Sequence, residues 1–99
     1  MANYFNHPPQ DEMPGTVVEA VSCLADTLPA ESLDQLMALA EGDLINTHFG
    51  LGMHIRNHFG LWDRESRIMQ DAKQRLNITH EDDVSAEIIR LLWEQLRAG

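Results

Sequence analysis

The sequence predicts an all-α fold, a compact single-domain bundle of four to five short helices behind a mobile, extended N-terminal arm. Three observations predict it. Apolar residues recur three and four positions apart through most of the chain, the period of a helix with one buried stripe. Helix-start and helix-stop residues bracket those stripes. No segment alternates apolar and polar residues as a half-buried strand would. The arm takes residues 1–14 and the helical domain residues 15–99, the length of one domain with a single modest core.

The arm holds three prolines and no periodicity, and Tyr4 and Phe5 are the side chains that could pin it to the body. The first helix starts at Thr16, where Thr16-x-x-Glu19 matches a capping box. Val17, Val21, Leu24 and Leu28 then share a face. Pro29 ends this helix or opens the next, whose stripe is Leu33, Leu36, Met37 and Ala40, with Gly42 as its stop.

A third helix is predicted over about Asp43 to Phe59, central to the bundle, with Gly60 as its cap and Leu61 and Trp62 plugging the core behind it. A fourth covers about Glu65 to Leu76, with Ile68, Met69, Ala72 and Leu76 inward. Thr79-x-x-Asp82 resembles a capping box and opens the fifth, through Val84, Ile88, Ile89, Leu92 and Leu96. Glu81, Asp82 and Asp83 suit the positive end of that helix, and Arg97 suits its other end.

An apolar fraction of 43% and a mean hydropathy of -0.30 place the chain among ordinary globular proteins. No apolar run approaches the roughly 20 residues that span a bilayer, and the N-terminus lacks the pattern of a secretory signal. One cysteine, Cys23, cannot form an internal disulfide, so a reducing cytoplasm is the expected compartment. The net charge of -9 is uneven. Residues 1–55 contain eight acids and no Lys or Arg; residues 56–99 contain eight acids and seven bases. An acidic surface repels phosphate backbones, so no direct nucleic-acid binding is expected. It suits a basic protein partner, and Glu19, Asp26, Glu31, Asp34, Glu41 and Asp43 form the candidate partner-binding face. The plainer reading is a solvated acidic surface.

The segment from Thr47 to Trp62, THFGLGMHIRNHFGLW, is richer in functional side chains than a core helix needs. On a helical wheel Ile45, Phe49, Gly52, Arg56 and Phe59 share a stripe, and His48, Gly52 and Arg56 stack at i, i+4 and i+8. Gly52 then leaves a niche between imidazole and guanidinium. The plain reading is close packing against a neighbouring helix; the sharper one is a carboxylate or anion pocket with Arg56 as clamp. An Arg in an apolar stripe needs a partner, and Asp82 or Asp83 at the start of the last helix is the expected one.

Other chemistry is thin. His54 and His58 have metal-gripping spacing, but two histidines are weak evidence and no metal or cofactor is expected. Ser22 and Cys23 lie in a plain amphipathic helix, Ser85 in a helix first turn, and no nucleophile-elbow, phosphate-loop or zinc-protease motif appears. No catalytic residue is assigned.

The residues His48-Phe49-Gly50-Leu51-Gly52-Met53, Ile55-Arg56-Asn57 and Gly60-Leu61-Trp62, followed by His80-Glu81-Asp82-Asp83-Val84-Ser85, resemble a small bacterial family of unknown function. Its pattern reads HFGLGMWIRNxxGLW and then HPDDxS. The resemblance covers most of the chain and implies that His48, Gly52, Arg56, Asn57, Trp62, His80, Asp82, Asp83 and Ser85 are motif positions, as a ligand site or a structural network. This chain departs at His54, where Trp is usual, and at Glu81, where Pro is usual. The resemblance supplies no activity. The function that size and charge favour is a non-catalytic acidic interaction module, of inhibitor, antitoxin or immunity type, binding a basic protein. The alternatives are a small-ligand or enzymatic module built on the His/Arg/Asn/Asp cluster, and a structural homodimer.

Overall fold

The computed structural model describes residues 14–98, all helix and turn. The α-helices are α1 (Val17–Thr27), α2 (Ala30–Met37), α3 (Met53–His58), α4 (Arg67–Leu76) and α5 (Glu81–Ala98). Between α2 and α3 lie a 3-10 segment, Glu41–Thr47, and a π turn, His48–Gly52. The arm expected over residues 1–14 lies, but for Pro14, outside the described residues.

The capping expectation for α1 holds with one change. The Thr16 hydroxyl accepts the Glu19 N–H at 3.0 Å, but Glu19 Oε1 takes the N–H of Gly15, at 2.8 Å, rather than that of Thr16. A third acceptor comes from across the bundle: Asp71 Oδ2, on α4, takes the Val17 N–H at 2.9 Å. Asp71 therefore acts as a long-range cap, and Arg75 steadies its other oxygen at 2.7 Å. Asp71→Ala should lower stability by about 1–2 kcal/mol, as loss of an N-terminal cap does, while Asp71→Asn keeps an acceptor and recovers most of it. Thermal melts of the two variants check this; equal losses would show that charge rather than capping matters.

The hub is α5, not the glycine-bearing third segment. It is the longest apolar-faced helix, 18 residues, and it packs against every other helical element. Val84, Ile88 and Leu92 are fully buried along it. Around them lie Val17, Ala20, Val21 and Leu24 of α1, Leu36 of α2, Ile55 of α3, and Ile68, Met69 and Ala72 of α4. The C-terminal part of α5 also fastens α2. A helix end leaves carbonyls without donors; here Arg97 Nη1 donates to Met37 O at 3.1 Å, and Trp93 Nε1–H donates to Leu39 O at 2.9 Å. Arg97, in the last turn of its own helix, thus serves a carbonyl at the end of another.

Several sequence expectations need correcting. The third helix is not continuous from Asp43: its first part winds as 3-10, then as π, and only 53–58 is α. A 3-10 segment turns about 120° per residue and a π turn is wider than α, so a stripe drawn at α spacing comes apart. Ile45 and Phe49, expected inward, are 75% and 83% exposed. Gly42 does not stop α2; it lies inside the 3-10 segment, and Ala40, expected inward, is exposed. Trp62 is half exposed, whereas Leu61 beside it is fully buried as expected. Leu76 faces outward at the end of α4 because Asn77, in the left-handed conformation, stops the helix there.

Gly60 behaves as predicted. Its φ is +66°, and the Leu61 N–H reaches back to Arg56 O at 2.9 Å, a helix-ending bond that drives Leu61 into the core.

Candidate functional site

The site is assembled where the π turn meets the first turn of α5. Arg56 sits on α3 and its side chain runs back toward the helix N-terminus, over Gly52. It is 1% exposed. Burying a guanidinium is costly unless its donors are matched, and both terminal nitrogens have partners. Nη1 donates to Ser85 Oγ at 2.8 Å and lies 3.4 Å from His48 Nδ1. Nη2 donates to the His48 carbonyl at 2.9 Å. Nε faces Asp82 Oδ1 at 3.6 Å, an ion pair without a hydrogen bond. The Arg56–Asp82 pairing expected from the sequence is present and joins α3 to α5; Asp83, the other candidate, is exposed and takes no part.

The niche expected beside Gly52 is filled by the guanidinium itself. A Cβ at residue 52 would lie 3.1 Å from Arg56 Nη1 and 3.3 Å from Thr47 O. Glycine is there because the cation lies against the backbone. The cluster is then closed from its other sides. Ser85, fully buried, donates to Asp82 O at 3.0 Å while accepting from Arg56. Its hydroxyl serves both as local cap and as receptor for the cation. Trp62 lays its ring 5.9 Å from Arg56 Cζ and donates from Nε1–H to Asn57 Oδ1 at 2.7 Å. Asn57 thus positions the Trp62 ring.

His48 and His80 flank Asp82. His48 Nε2 stands 4.0 Å and His80 Nδ1 3.9 Å from Asp82 Oδ2. An arginine can only donate, so His48 Nδ1 is the acceptor facing it. His80, not Thr79, caps α5: its Nδ1 accepts the Asp82 N–H at 3.0 Å, and its carbonyl accepts from Val84 N–H. Glu81 is the first helical residue, where proline is at ease, so the position at which the resembled pattern carries Pro is explained by the helix start.

The Glu81 carboxyl is held below its ordinary value of 4.5, first by a hydrogen bond from its own backbone N–H and then by the charges of His80 and Arg64, against partial burial. A carboxyl with a lowered folded pKa binds fewer protons folded than unfolded. Its contribution is therefore complete above pH 4.5 and is lost as pH falls through the lowered value. In urea titrations at a series of pH values, the parent should lose midpoint concentration below about pH 4.5 more steeply than Glu81→Gln. Parallel curves would exclude this linkage.

The histidine pair and the acidic helix start are the places to look for metal ligands. His54 and His58 stack face to face, centroids 5.4 Å apart. His80, Glu81 and Asp82 bring one ligand atom each within 4.8 Å of one another. Each of the three residues has another partner: His80 Nδ1 accepts the Asp82 N–H, Glu81 Oε1 pairs with Arg64 at 3.2 Å, and Asp82 Oδ1 faces Arg56.

The six acids of the expected partner face, Glu19, Asp26, Glu31, Asp34, Glu41 and Asp43, are all exposed, on α1, α2 and the 3-10 segment. Among the described residues none of Asp26, Glu31, Asp34 or Asp43 lies in a salt bridge. By contrast Arg90 is ringed by Glu87 and Glu94, and Glu87 raises its pKa further. Among the features that escaped the sequence reading are the Asp71 cap, a pairing 54 residues apart with no local signal, and the exposure of Ile45 and Phe49. The π winding that causes the second is hinted at only by the two glycines at 50 and 52.

No helix among the described residues is long and apolar enough to cross a membrane. Residues 13–96 match a family model described as a domain of unknown function (DUF6794). No curated protein and no solved structure matches the chain.

Proposed function

We propose, from the premise that the chain belongs to the DUF6794 family of domains of unknown function, that it is a non-catalytic acidic module that binds a basic protein. An inhibitor, antitoxin or immunity-type role is the form this reading takes. One observation carries it: the charges of the chain are sorted. Its first base, Arg56, is buried and paired from within, while the six described acids that precede it, from Glu19 to Asp43, stand exposed and outside any salt bridge among the described residues. Such a surface attracts a basic partner and speeds its association, with a strong salt dependence.

The burial of Arg56 weighs against the reading as a small-ligand or enzymatic module. Its guanidinium is spent on Ser85, His48 and Asp82, and a ligand would have to displace those contacts. The constellation is then a clamp that holds α3 and the π turn on α5.

The test is an affinity capture from lysate of the source organism at low and high salt, repeated with the Glu31→Gln, Asp34→Asn, Glu41→Gln, Asp43→Asn variant. The expected result is one basic protein, released by salt, whose association with the variant is at least about tenfold slower. Recovery of no protein, together with thermal stabilisation by a metabolite that Arg56→Lys abolishes, overturns the reading in favour of ligand chemistry.

A further inference from the structure

We propose that the groove between the 3-10 segment and α5 is the docking site for an amphipathic, lysine- or arginine-bearing helix of a partner protein. The inference rests on the reading of the chain as a binder of basic proteins, and gives that reading a location and a recognition mode.

The groove has a volume of about 290 Å³ and an apolar floor made by Leu44, Ile45, Ala86 and Ile89. His48 forms part of its wall. Two of the most exposed apolar side chains of the described residues belong to the 3-10 segment and the π turn that border it. Ile45, in the lining, is 75% exposed, and Phe49 is 83% exposed, its ring packed edge-on against His48 at 4.9 Å. The π and 3-10 windings are what turn both outward, so their exposure follows from the same backbone that seats Arg56. Exposed aromatic and branched side chains at the rim of an apolar groove are the usual anchors of helix recognition, read by residues at i, i+3, i+4 and i+7 of the incoming helix.

Charge decides the occupant. Glu41 lines the groove and Asp43 is exposed two residues on. The one base in the lining, Arg90, is already held by Glu87 and Glu94. One base among Glu41, Glu87 and Glu94 leaves the rim with a net negative charge around an apolar centre. A second copy of this chain, docking two-fold, would set these acids against themselves. A helix with an apolar stripe flanked by Lys or Arg meets both features at once. No strand edge exists among the described residues, so strand addition has no template.

The test uses the full chain and three synthetic helical peptides: Leu at i, i+3, i+4 and i+7 with Lys elsewhere, the same with Glu for Lys, and the Lys peptide with Ser for Leu. Affinity is measured by calorimetry, against the parent chain, Ile45→Ser/Phe49→Ser, and the control Val18→Ser, which alters an exposed apolar residue on α1. Thermal melts check that both variants fold. The expected result is binding of the Leu/Lys peptide, none of the Leu/Glu peptide, and at least tenfold weaker binding of the Ser/Lys peptide. Ile45→Ser/Phe49→Ser should weaken the Leu/Lys peptide at least tenfold and Val18→Ser should not. No binding of the Leu/Lys peptide, equal binding of the Leu/Glu peptide, or equal effects of the two variants overturns the proposal. So does sedimentation showing a dimer that Ile45→Ser/Phe49→Ser dissociates, because the occupant is then a second copy. If a basic protein captured from lysate binds the parent and Ile45→Ser/Phe49→Ser alike, this docking site fails while the acidic-module reading stands. If capture fails as well, both fall.

Discussion

Replacing Arg56 with alanine should destabilise the protein by about 3–5 kcal/mol, because it both empties the space of a large buried side chain and leaves its acceptors unmatched. For a domain whose total stability is on the order of 5–15 kcal/mol, this approaches unfolding at ambient temperature. The reason is the number of groups left behind. The Ser85 hydroxyl, the His48 carbonyl and the Asp82 carboxylate all face the guanidinium, and the first of these is fully buried. Arg56→Lys should recover little, because an ammonium cannot reach Ser85 and the His48 carbonyl in the forked geometry that a guanidinium provides. Asp82→Asn should cost about 1 kcal/mol or less, since that carboxylate is 44% exposed and only 3.6 Å distant, without a hydrogen bond. Urea titration of the three variants measures the contrast. Equal losses for Arg56→Ala and Asp82→Asn would show that the ion pair, not the network, is what matters. A loss below about 1 kcal/mol for Arg56→Ala would remove the clamp from this account altogether.

Alanine at the two neighbouring glycines should move stability in opposite directions. At residue 50 an added Cβ meets nothing within 4 Å, so Gly50→Ala removes backbone freedom from the unfolded chain and should stabilise by about 0.4–1 kcal/mol. At residue 52 the same methyl lies 3.1 Å from Arg56 Nη1 and 3.3 Å from a backbone carbonyl that cannot give way easily. Overpacking of that kind costs about 1–3 kcal/mol and outweighs the backbone gain. It also pushes Nη1 off its 2.8 Å bond to Ser85. Gly52→Ala should therefore lower the thermal midpoint, by several degrees at about 4–8 °C per kcal/mol for a domain of this size, while Gly50→Ala raises it. Shifts of the same sign would mean that the guanidinium does not rest on the residue 52 backbone.

These two glycines also show where the sequence is legible. Their spacing marks a segment in which the backbone is approached closely, but it does not say which glycine carries the approach. That depends on the Arg56 rotamer and on the π winding, and both are set by what α5 presents. The Arg56–Asp82 pairing was readable because a buried cation must have a counter-charge and few acids sit at a helix start nearby. Ser85 was readable as a local cap but not as the acceptor of Arg56 Nη1, since its role arises 29 residues away in sequence. Trp62 misled: its aromatic bulk argues for burial, yet only its neighbour Leu61 is carried inward by the Gly60 turn. His80 misled in the opposite way, because imidazole is an uncommon cap and Thr79 beside it is a favoured one.

By itself the amino-acid sequence determined the helical class, the Thr16 start of α1, the Gly60 stop of α3 and the Leu76 end of α4, the inward stripes of α1 and α5, and the sorting of charge into a base-free first half. All of these follow from contacts within three or four residues or from simple counting. Only the tertiary structure decided that α5 is the hub, that Asp71 caps α1, that the cation closes on itself, and that Ile45 and Phe49 face out. The physical reason is shared by all four. Local propensity sets whether a stretch coils, but its exact winding and its facing side are settled by the long-range partner that buries it, and a change from α to 3-10 or π turns a stripe around without altering a single residue.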